Sequence, residues 1–441
     1  MKNILFLVYE FPPLNSGGSH RPFKFVKYLK EYGLNPVVVT PEVPAHIQDT
    51  SMINELQDVT VIRTHMENSV RFEKLLSKNY INILDTEAKK WKKHLFPVLE
   101  SLVQKYNFQA MYVTAPPFSI ANLGVEVSKK FQLPLILDMR DHWSYWNITP
   151  FTSYLHYRAI LRTEKKWFQQ ASVVLAVSEQ MVDDFIKLHP DIDRKKFHTI
   201  RNAFKEEIKD IPDQISIRKA SVDKPLKIGY VGSFYYHPYQ RKLIFDPWWK
   251  KKPHQWFQYT PKKEDWLYRS PYFFFKTLQK LFKKYPQYKK LVQVEFIGAK
   301  PKWLEEMVKE FTLEDNVVLH GFLSHTESIL FQQGCDVLLG TSMKVIGGRD
   351  YCIAGKSYEY LAQKKPVLAF VTEGTQKDFF EESGMSLVLD ADEIDKNVEL
   401  FKSFMDGEMI FMPNKSFIKK LSAKFSTKEL ANVIKEVVYN A

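Results

Sequence analysis

The chain has 441 residues, 45% of them apolar, with 63 Lys and Arg against 51 Asp and Glu and a formal net charge of +12. That length exceeds what one hydrophobic core usually serves, so two domains are expected, and the positive balance favours an anionic partner such as nucleic acid, anionic lipid or a phosphorylated small molecule. The two cysteines, Cys335 and Cys352, stand in no metal-ligand or redox spacing, which excludes a disulfide framework and a cysteine zinc site and fits a reduced, cytoplasmic setting.

The first stretch, "MKNILFLVYEFPP", has too short an apolar run for a signal peptide and contains Tyr9 and Glu10, so it reads as a buried strand. No apolar run approaches the ~18 residues of a spanning helix, and any membrane contact is expected to be peripheral, at the inner face. Gly17 and Gly18 follow, ahead of a basic amphipathic segment. Glycine lets backbone amides turn toward a ligand and a helix start adds partial positive charge, the layout of a phosphate cradle. The alternative is an ordinary turn. No Gly-x-Gly-x-x-Gly or Walker pattern occurs, which disfavours a dinucleotide fold of the dehydrogenase type.

Short apolar runs then alternate with helical patterns: "NILFLVY", "PVVVT", "VTVIRT", "AMYVT", "PLILD" and "SVVLAV", followed after a charged stretch by "LKIGYVGSF", "VQVEFIG", "NVVLHG", "CDVLLG", "PVLAFV" and "MSLVLD". This rhythm predicts parallel βαβ units. The expected fold is α/β, two Rossmann-like doubly wound domains facing a cleft, with strand ends carrying the ligand loops. We place the first domain at 1–205, a linker at 206–224, the second domain at 225–425 and a terminal helix at 426–441.

Two clusters at strand ends carry chemistry. "PLILDMRDHW" sets Asp138, Arg140, Asp141 and His142 at the carboxyl edge of the first sheet, suited to substrate hydroxyls or a leaving phosphate; structural capping by an Arg–Asp pair is the alternative. In "GKSYEYL", Lys356 and Ser357 open a helix whose amides suit phosphate, and Glu359 lies one turn on, where a carboxylate can accept from two ribose hydroxyls. Read blandly, Lys356 and Glu359 are a surface i, i+3 pair. The Asp-x-Asp pairs Asp191/Asp193 and Asp390/Asp392 precede polar helices and are read as caps rather than metal ligands.

The ordered motifs "YEFPP…GG", "VTAPPFS", "LDMRDHW", "AVSEQM", "IRNAF", "IGYVGSF", "RSPYFFFKTLQKL", "VEFIG", "HGFLSHTE" and "GKSYEYLAQKKPVLA" resemble bacterial family 4 glycosyltransferases of the GT-B fold, over Met1 to about residue 390. "GKxxEYL" is similar to the polysaccharide-building branch. The resemblance implies retaining transfer of a sugar from a nucleotide-diphosphate sugar to a glycan or lipid-linked acceptor in cell-surface polysaccharide biosynthesis, with no cofactor and no obligatory metal. By the same resemblance Gly17 and Gly18 approach the donor diphosphate and acceptor, and Arg140 and Asp141 meet the donor sugar near its reacting carbon. Gly232 forms the second domain's glycine loop, Arg269 clamps the diphosphate, Lys356 and Ser357 face the phosphates, and Glu359 holds the ribose. Base recognition is expected from backbone near Gly298 and Gly321-Phe322. Two positions depart from the pattern. Tyr351 stands where many relatives carry a second glutamate, and Ser233 where they carry an arginine, leaving Arg241, Lys242 or Arg349 to replace that cation.

Residues 236–268 interrupt the βα rhythm with Trp248, Trp249, Trp256 and Trp266 among lysines and prolines, and Lys89, Lys90, Trp91, Lys92 and Lys93 form a second aromatic-basic cluster. Both suit an anionic membrane interface, with simple packing as the alternative. Such segments also stack single-stranded nucleic acid, but nucleotide-diphosphate binding dependent on Glu359 is the expectation, without a nucleic-acid partner. Other readings of the same fold are a nucleotide-sugar epimerase or hydrolase, and a non-catalytic nucleotide- or glycan-binding member.

Overall fold

The computed structural model describes residues 1–14, 16–44, 48, 50–67, 83–145, 148–204 and 208–439. The expected domain boundary at residues 205–206 and the last two residues of the 426–441 segment lie outside them. β1 (Lys2–Leu7), β2 (Leu34–Pro41), β3 (Thr60–Thr64), β4 (Ala110–Ala115), β5 (Leu135–Met139), β6 (Val173–Ala176) and β7 (Phe197–Thr199) make one parallel sheet, in the order β3-β2-β1-β4-β5-β6-β7. The later strands are β8 (Ile215–Ser216), β9 (Leu226–Val231), β10 (Glu264–Asp265), β11 (Val292–Ile297), β12 (Val317–Gly321), β13 (Val337–Thr341), β14 (Lys344–Val345), β15 (Val367–Val371), β16 (Ser386–Asp390) and β17 (Ile410–Phe411). Six of them form a second parallel sheet, β12-β11-β9-β13-β15-β16, while β10 pairs with β14 and β8 with β17 in short antiparallel ladders.

Both faces of each sheet are covered, which is why the strands are continuous apolar runs. On β1, Ile4 and Phe6 enter one core and Leu5 and Leu7 the other; on β15, Leu368 and Phe370 oppose Val367 and Ala369. The terminal helix, Ala423–Tyr439, returns to the first sheet, where Leu430 and Ile434 pack with Phe25 and Val26 of the helix His20–Tyr28. In each sheet the strand order reverses once near the middle, between β1 and β4 and between β9 and β13, and a crevice opens at the carboxyl ends of such switch points.

The two halves touch directly. Tyr351 and Met343 lie in the first half's core cluster, the Ser178 hydroxyl donates to the Tyr351 carbonyl at 2.7 Å, and Lys262 pairs with Asp184 at 3.0 Å. The 236–268 insertion is ordered, from the helix Pro238–Phe245 through three-residue turns to β10, and Phe151 and Tyr259 exchange main-chain hydrogen bonds at 2.9 Å.

The second aromatic-basic cluster does not face outward as expected. Trp91 is fully buried and donates from Nε1 to Thr64 Oγ1 at 2.6 Å, because Trp91, Leu95, Leu99 and Leu102 form the apolar stripe of the helix Glu87–Tyr106. Its lysines are in ordinary surface pairs, Lys90 with Glu87, Lys92 with Glu126 and Lys93 with Glu67. Trp266 is also taken up, half-buried against the first half's core and stacked on the Arg269 guanidinium. Among the described residues no helix is long and apolar enough to cross a membrane.

Candidate active site

At the first switch point, β1 runs out through Tyr9 and Glu10, and the chain returns through Gly17 and Gly18 before the helix His20–Tyr28. Arg140, just past β5, donates from Nη2 to Glu10 Oε2 at 2.9 Å and to the Pro116 carbonyl. A Cβ at Gly18 would collide with the Glu10 carboxylate and the Arg140 guanidinium, so glycine is required for that pair to close. Gly17 is different: it is exposed, and nothing approaches the place of a Cβ. Arg140 Nε remains buried without a partner.

Asp138 does not join this cluster. Its carboxylate, wholly buried, accepts from Arg21 at 2.8 and 2.9 Å, from Tyr112 and from Thr114 at 3.2 Å, so it is a structural anchor behind the site. Asp141 does face the cleft between halves. Burial raises its carboxyl above the usual aspartate range, and the positive charges of Arg140, His142 and Arg269 work against that rise. Arg269 comes from the other half, so a cation of the second half acts on the end of the first cluster. His142 is sealed beneath, its ring 4.4 Å from that of Tyr351 and its Nε2 3.2 Å from Asp184.

At the second switch point three glycines close the strand ends. Gly232, Gly298 and Gly321 have φ of +102°, +137° and +82°, and a Cβ at Gly298 would strike the Gly232 carbonyl. Gly232 donates to the Ile297 carbonyl at 2.8 Å and Gly298 to that of Gly321 at 2.7 Å. Lys356 reaches this point: its Nζ would sit 3.1 Å from a Cβ on Gly232, lies 3.8 Å from the centre of the Tyr230 ring and donates to the Tyr230 hydroxyl. Burial, followed by repulsion from Arg269, holds the Lys356 ammonium well below the usual lysine range, against the pull of Glu359. Arg269 lies against Cys352 Sγ at 4.0 Å, Trp266 and Tyr235. Burial opposes its charge, but Cys352, Asp350, Tyr230 and Tyr235 outweigh that effect and the guanidinium is held firmly protonated. Neither Arg269 nor Lys356 is in an ion pair among the described residues. Lys356 thus stands at the glycine strand end beside the start of the helix Gly355–Ala362, within electrostatic reach of Arg269.

The other candidates for the second cation are engaged elsewhere. Arg241 forks onto Asp265 with two 2.8 Å bonds, Arg349 pairs with Glu373 and Asp378, and Lys242 is exposed on the helix Pro238–Phe245. Lys356 itself fills the place beside Gly232. Ser357 is a correction: its hydroxyl is buried and accepts from Gln376 Nε2 at 2.8 Å, because the position after Lys356 turns into the core. Glu359 is exposed one turn beyond Lys356. Of the aspartate pairs, Asp193 caps the turn Arg194–Lys196, whereas Asp191 pairs with Lys165 and Asp392 with Lys344.

Three groups were missed in the sequence. Glu10, visible only as a carboxylate after the first strand, is the partner of Arg140. Tyr230 carries Lys356. Asp350 is buried, accepts from the Cys352 amide at 2.8 Å, and is raised by that burial to about 6 although Arg269 pulls it down.

No protein-family model matches the chain, and no curated protein sequence matches it. Solved structures do match over its whole length. They include an apo lipopolysaccharide outer core galactosyltransferase, WaaB (12% identity, 98% of this chain and 99% of that one, TM-score 0.58), and Anabaena HepE in complex with UDP-glucose (15%, 100% of both, TM-score 0.53). A putative UDP-N-acetylglucosamine 2-epimerase from Listeria monocytogenes matches at 9% identity over 100% of this chain and 98% of that one, with a TM-score of 0.52. At these identities the likeness establishes the fold: two Rossmann-like domains in the GT-B arrangement.

Proposed function

We propose that the protein is a glycosyltransferase that moves a sugar from a nucleotide-diphosphate sugar to a glycan or lipid-linked acceptor, with retention at the anomeric carbon, in cell-surface polysaccharide biosynthesis. The observation that carries this reading is that Lys356, at the Gly232 strand end, and Arg269 repel one another and neither is in an ion pair among the described residues, while Arg269 also acts on Asp141 of the first half. The donor diphosphate lies between the cations, and Glu359 accepts from the ribose hydroxyls. Breaking the bond from anomeric carbon to phosphate oxygen leaves charge on the diphosphate, where Arg269, Lys356 and the amides opening the helix Gly355–Ala362 stabilise it. The acceptor oxygen forms the new bond to that carbon, and its proton passes to the departing phosphate. Arg140 and Asp141 hold the sugar at the reacting carbon. In this reading no metal or cofactor takes part.

Calorimetric titration with UDP, GDP and CMP, using the protein and its Arg269→Ala variant, tests the donor site. Binding of one nucleoside diphosphate that Arg269→Ala abolishes is expected; no binding by any of them overturns the proposal. The epimerase-like neighbour makes donor consumption without acceptor the second reading, and product analysis with and without a glycan acceptor separates the two.

A further inference from the structure

The insertion is folded inside out. Gln255 is buried, its Nε2 donating to the Tyr239 hydroxyl at 3.0 Å, while Trp248, Trp249, Trp256 and Phe257 are 57%, 66%, 46% and 79% exposed. This is not looseness. Trp256 donates from Nε1 to the Lys251 carbonyl at 3.1 Å, the Lys251 ammonium donates to the Leu243 carbonyl, and Arg241 forks onto Asp265 at the base. The indoles of Trp249 and Trp256 each stand edge-on to Trp248, at 6.0 and 5.7 Å between centroids. Large apolar groups held out of the core in a rigid frame mark a surface that something else covers.

The charge around them says what. From Pro247 to Lys263 there is no acidic residue, while Lys250, Lys252 and Lys263 are exposed and Lys251 lies among them; Lys262 is taken up by Asp184. The patch continues onto the first half of the chain. Tyr259 stacks edge-on against Tyr154 at 5.1 Å, at the start of the helix Tyr154–Gln170, whose solvent face carries Leu155, 79% exposed, then Arg158, Arg162 and Lys166. Leu155, Arg158, Arg162 and Lys166 follow helical spacing, so they share one stripe opposite the buried Tyr157, Ile160, Glu164 and Trp167.

We propose that this composite surface, the indole cluster of the insertion together with the basic stripe of the helix Tyr154–Gln170, docks on a lipid bilayer containing anionic headgroups. Indoles settle at headgroup depth, and the flanking lysines and arginines meet the lipid charge. A glycan-stacking site is disfavoured by the same composition, since sugar hydroxyls call for carboxylate or amide partners beside the rings, and the exposed polar side chains flanking these indoles, Lys250, Lys252, His254 and Lys263, include neither. The surface bridges both halves through the Phe151–Tyr259 hydrogen bonds, so docking holds the edge of the cleft at the membrane. A groove of about 600 Å³ between the halves, lined by Tyr145, Asp184, Lys262 and Arg349, adjoins it. The inference stands independently of the donor, because none of its residues lies in the nucleotide site.

The test is co-sedimentation of the full-length protein with phosphatidylcholine vesicles, with and without about 30 mol% phosphatidylserine, together with tryptophan quenching by brominated acyl chains. Binding to the anionic vesicles alone, weakened by salt, with quenching that disappears in the Trp248→Ser/Trp249→Ser/Trp256→Ser variant, is expected. The Lys250→Gln/Lys252→Gln and Arg158→Gln/Arg162→Gln variants should each weaken partitioning by about 25-fold, at about fivefold per basic residue. These positions are exposed, and unchanged thermal unfolding of the variants confirms that any loss belongs to the surface. Failure to bind anionic vesicles, equal binding by the triple variant, or binding of oligosaccharide or oligonucleotide in place of vesicles overturns the proposal.

Discussion

Replacing Lys356 by methionine probes the donor site through a proton. In the free protein, burial is the largest influence on the ammonium, Arg269 adds repulsion, and together they set its pKa well below 10.5. A diphosphate beside it favours the charged form and raises the pKa again. In the window between the depressed free-state value and the higher value of the complex, binding therefore takes up a proton, and affinity falls as pH rises. The free protein behaves oppositely. Its unfolded chain keeps the lysine proton up to the ordinary value and the folded chain releases it earlier, so stability rises with pH through the same window. A charge-assisted hydrogen bond to phosphate contributes about 1.5 to 3 kcal/mol, so Lys356→Met should weaken nucleoside diphosphate binding by about 10- to 150-fold near neutrality. Calorimetry in two buffers of different ionisation enthalpy, from about pH 7 to about pH 10, counts the protons taken up. Unchanged affinity in the variant, with no proton uptake by the parent protein at any pH, would refute the placement of the diphosphate at Lys356.

Gly18→Ala should cost about 1 to 3 kcal/mol in urea unfolding and most of the activity, because the Glu10–Arg140 pair must give way; Gly17→Ala should leave stability unchanged, and equal effects at the two positions would contradict the packing. Glu359→Ala should leave the thermal midpoint where it is, since the side chain is exposed, yet weaken nucleoside diphosphate binding about tenfold or more by calorimetry. Asp138→Asn strands the buried Arg21 charge and should lower unfolding free energy by about 3 to 5 kcal/mol; a loss below about 1 kcal/mol would show that the pair is not anchoring the sheet. Tyr351→Ala opens a cavity against His142 and should cost about 3 to 5 kcal/mol, while Tyr351→Phe keeps the ring and should stay near the parent in the same assay.

The strands were legible because a parallel sheet buried on both faces leaves unbroken runs such as "VVVT" and "LILD", and the ends of those runs led to Arg140, Asp141 and Gly232. What stayed hidden depends on long-range partners. Glu10 meets Arg140 across 130 residues and Lys356 meets Tyr230 across 126, and no local pattern announces either contact. Ser357 was misplaced for a related reason, since adjacent residues at a helix start look alike until the core side is known. Trp91 is a different failure. Its spacing to Leu95 and Leu99 was readable as a buried stripe, but the flanking lysines drew attention to charge instead of period.

Tyr351 and Lys356 acquire a physical meaning once the halves are seen together. Tyr351 occupies the first half's core against His142, and its carbonyl is held by Ser178, so its neighbours Asp350 and Cys352 are fixed at the seam. Those two groups help sustain the charge of Arg269 against its burial. Asp141 feels the same guanidinium from the opposite wall. The ring at 351 thus joins the two walls, while Lys356 leans on Tyr230 beside Gly232. The candidate site is built by the contact between domains, with Tyr351 against His142 and Arg269 acting on Asp141 across the same seam.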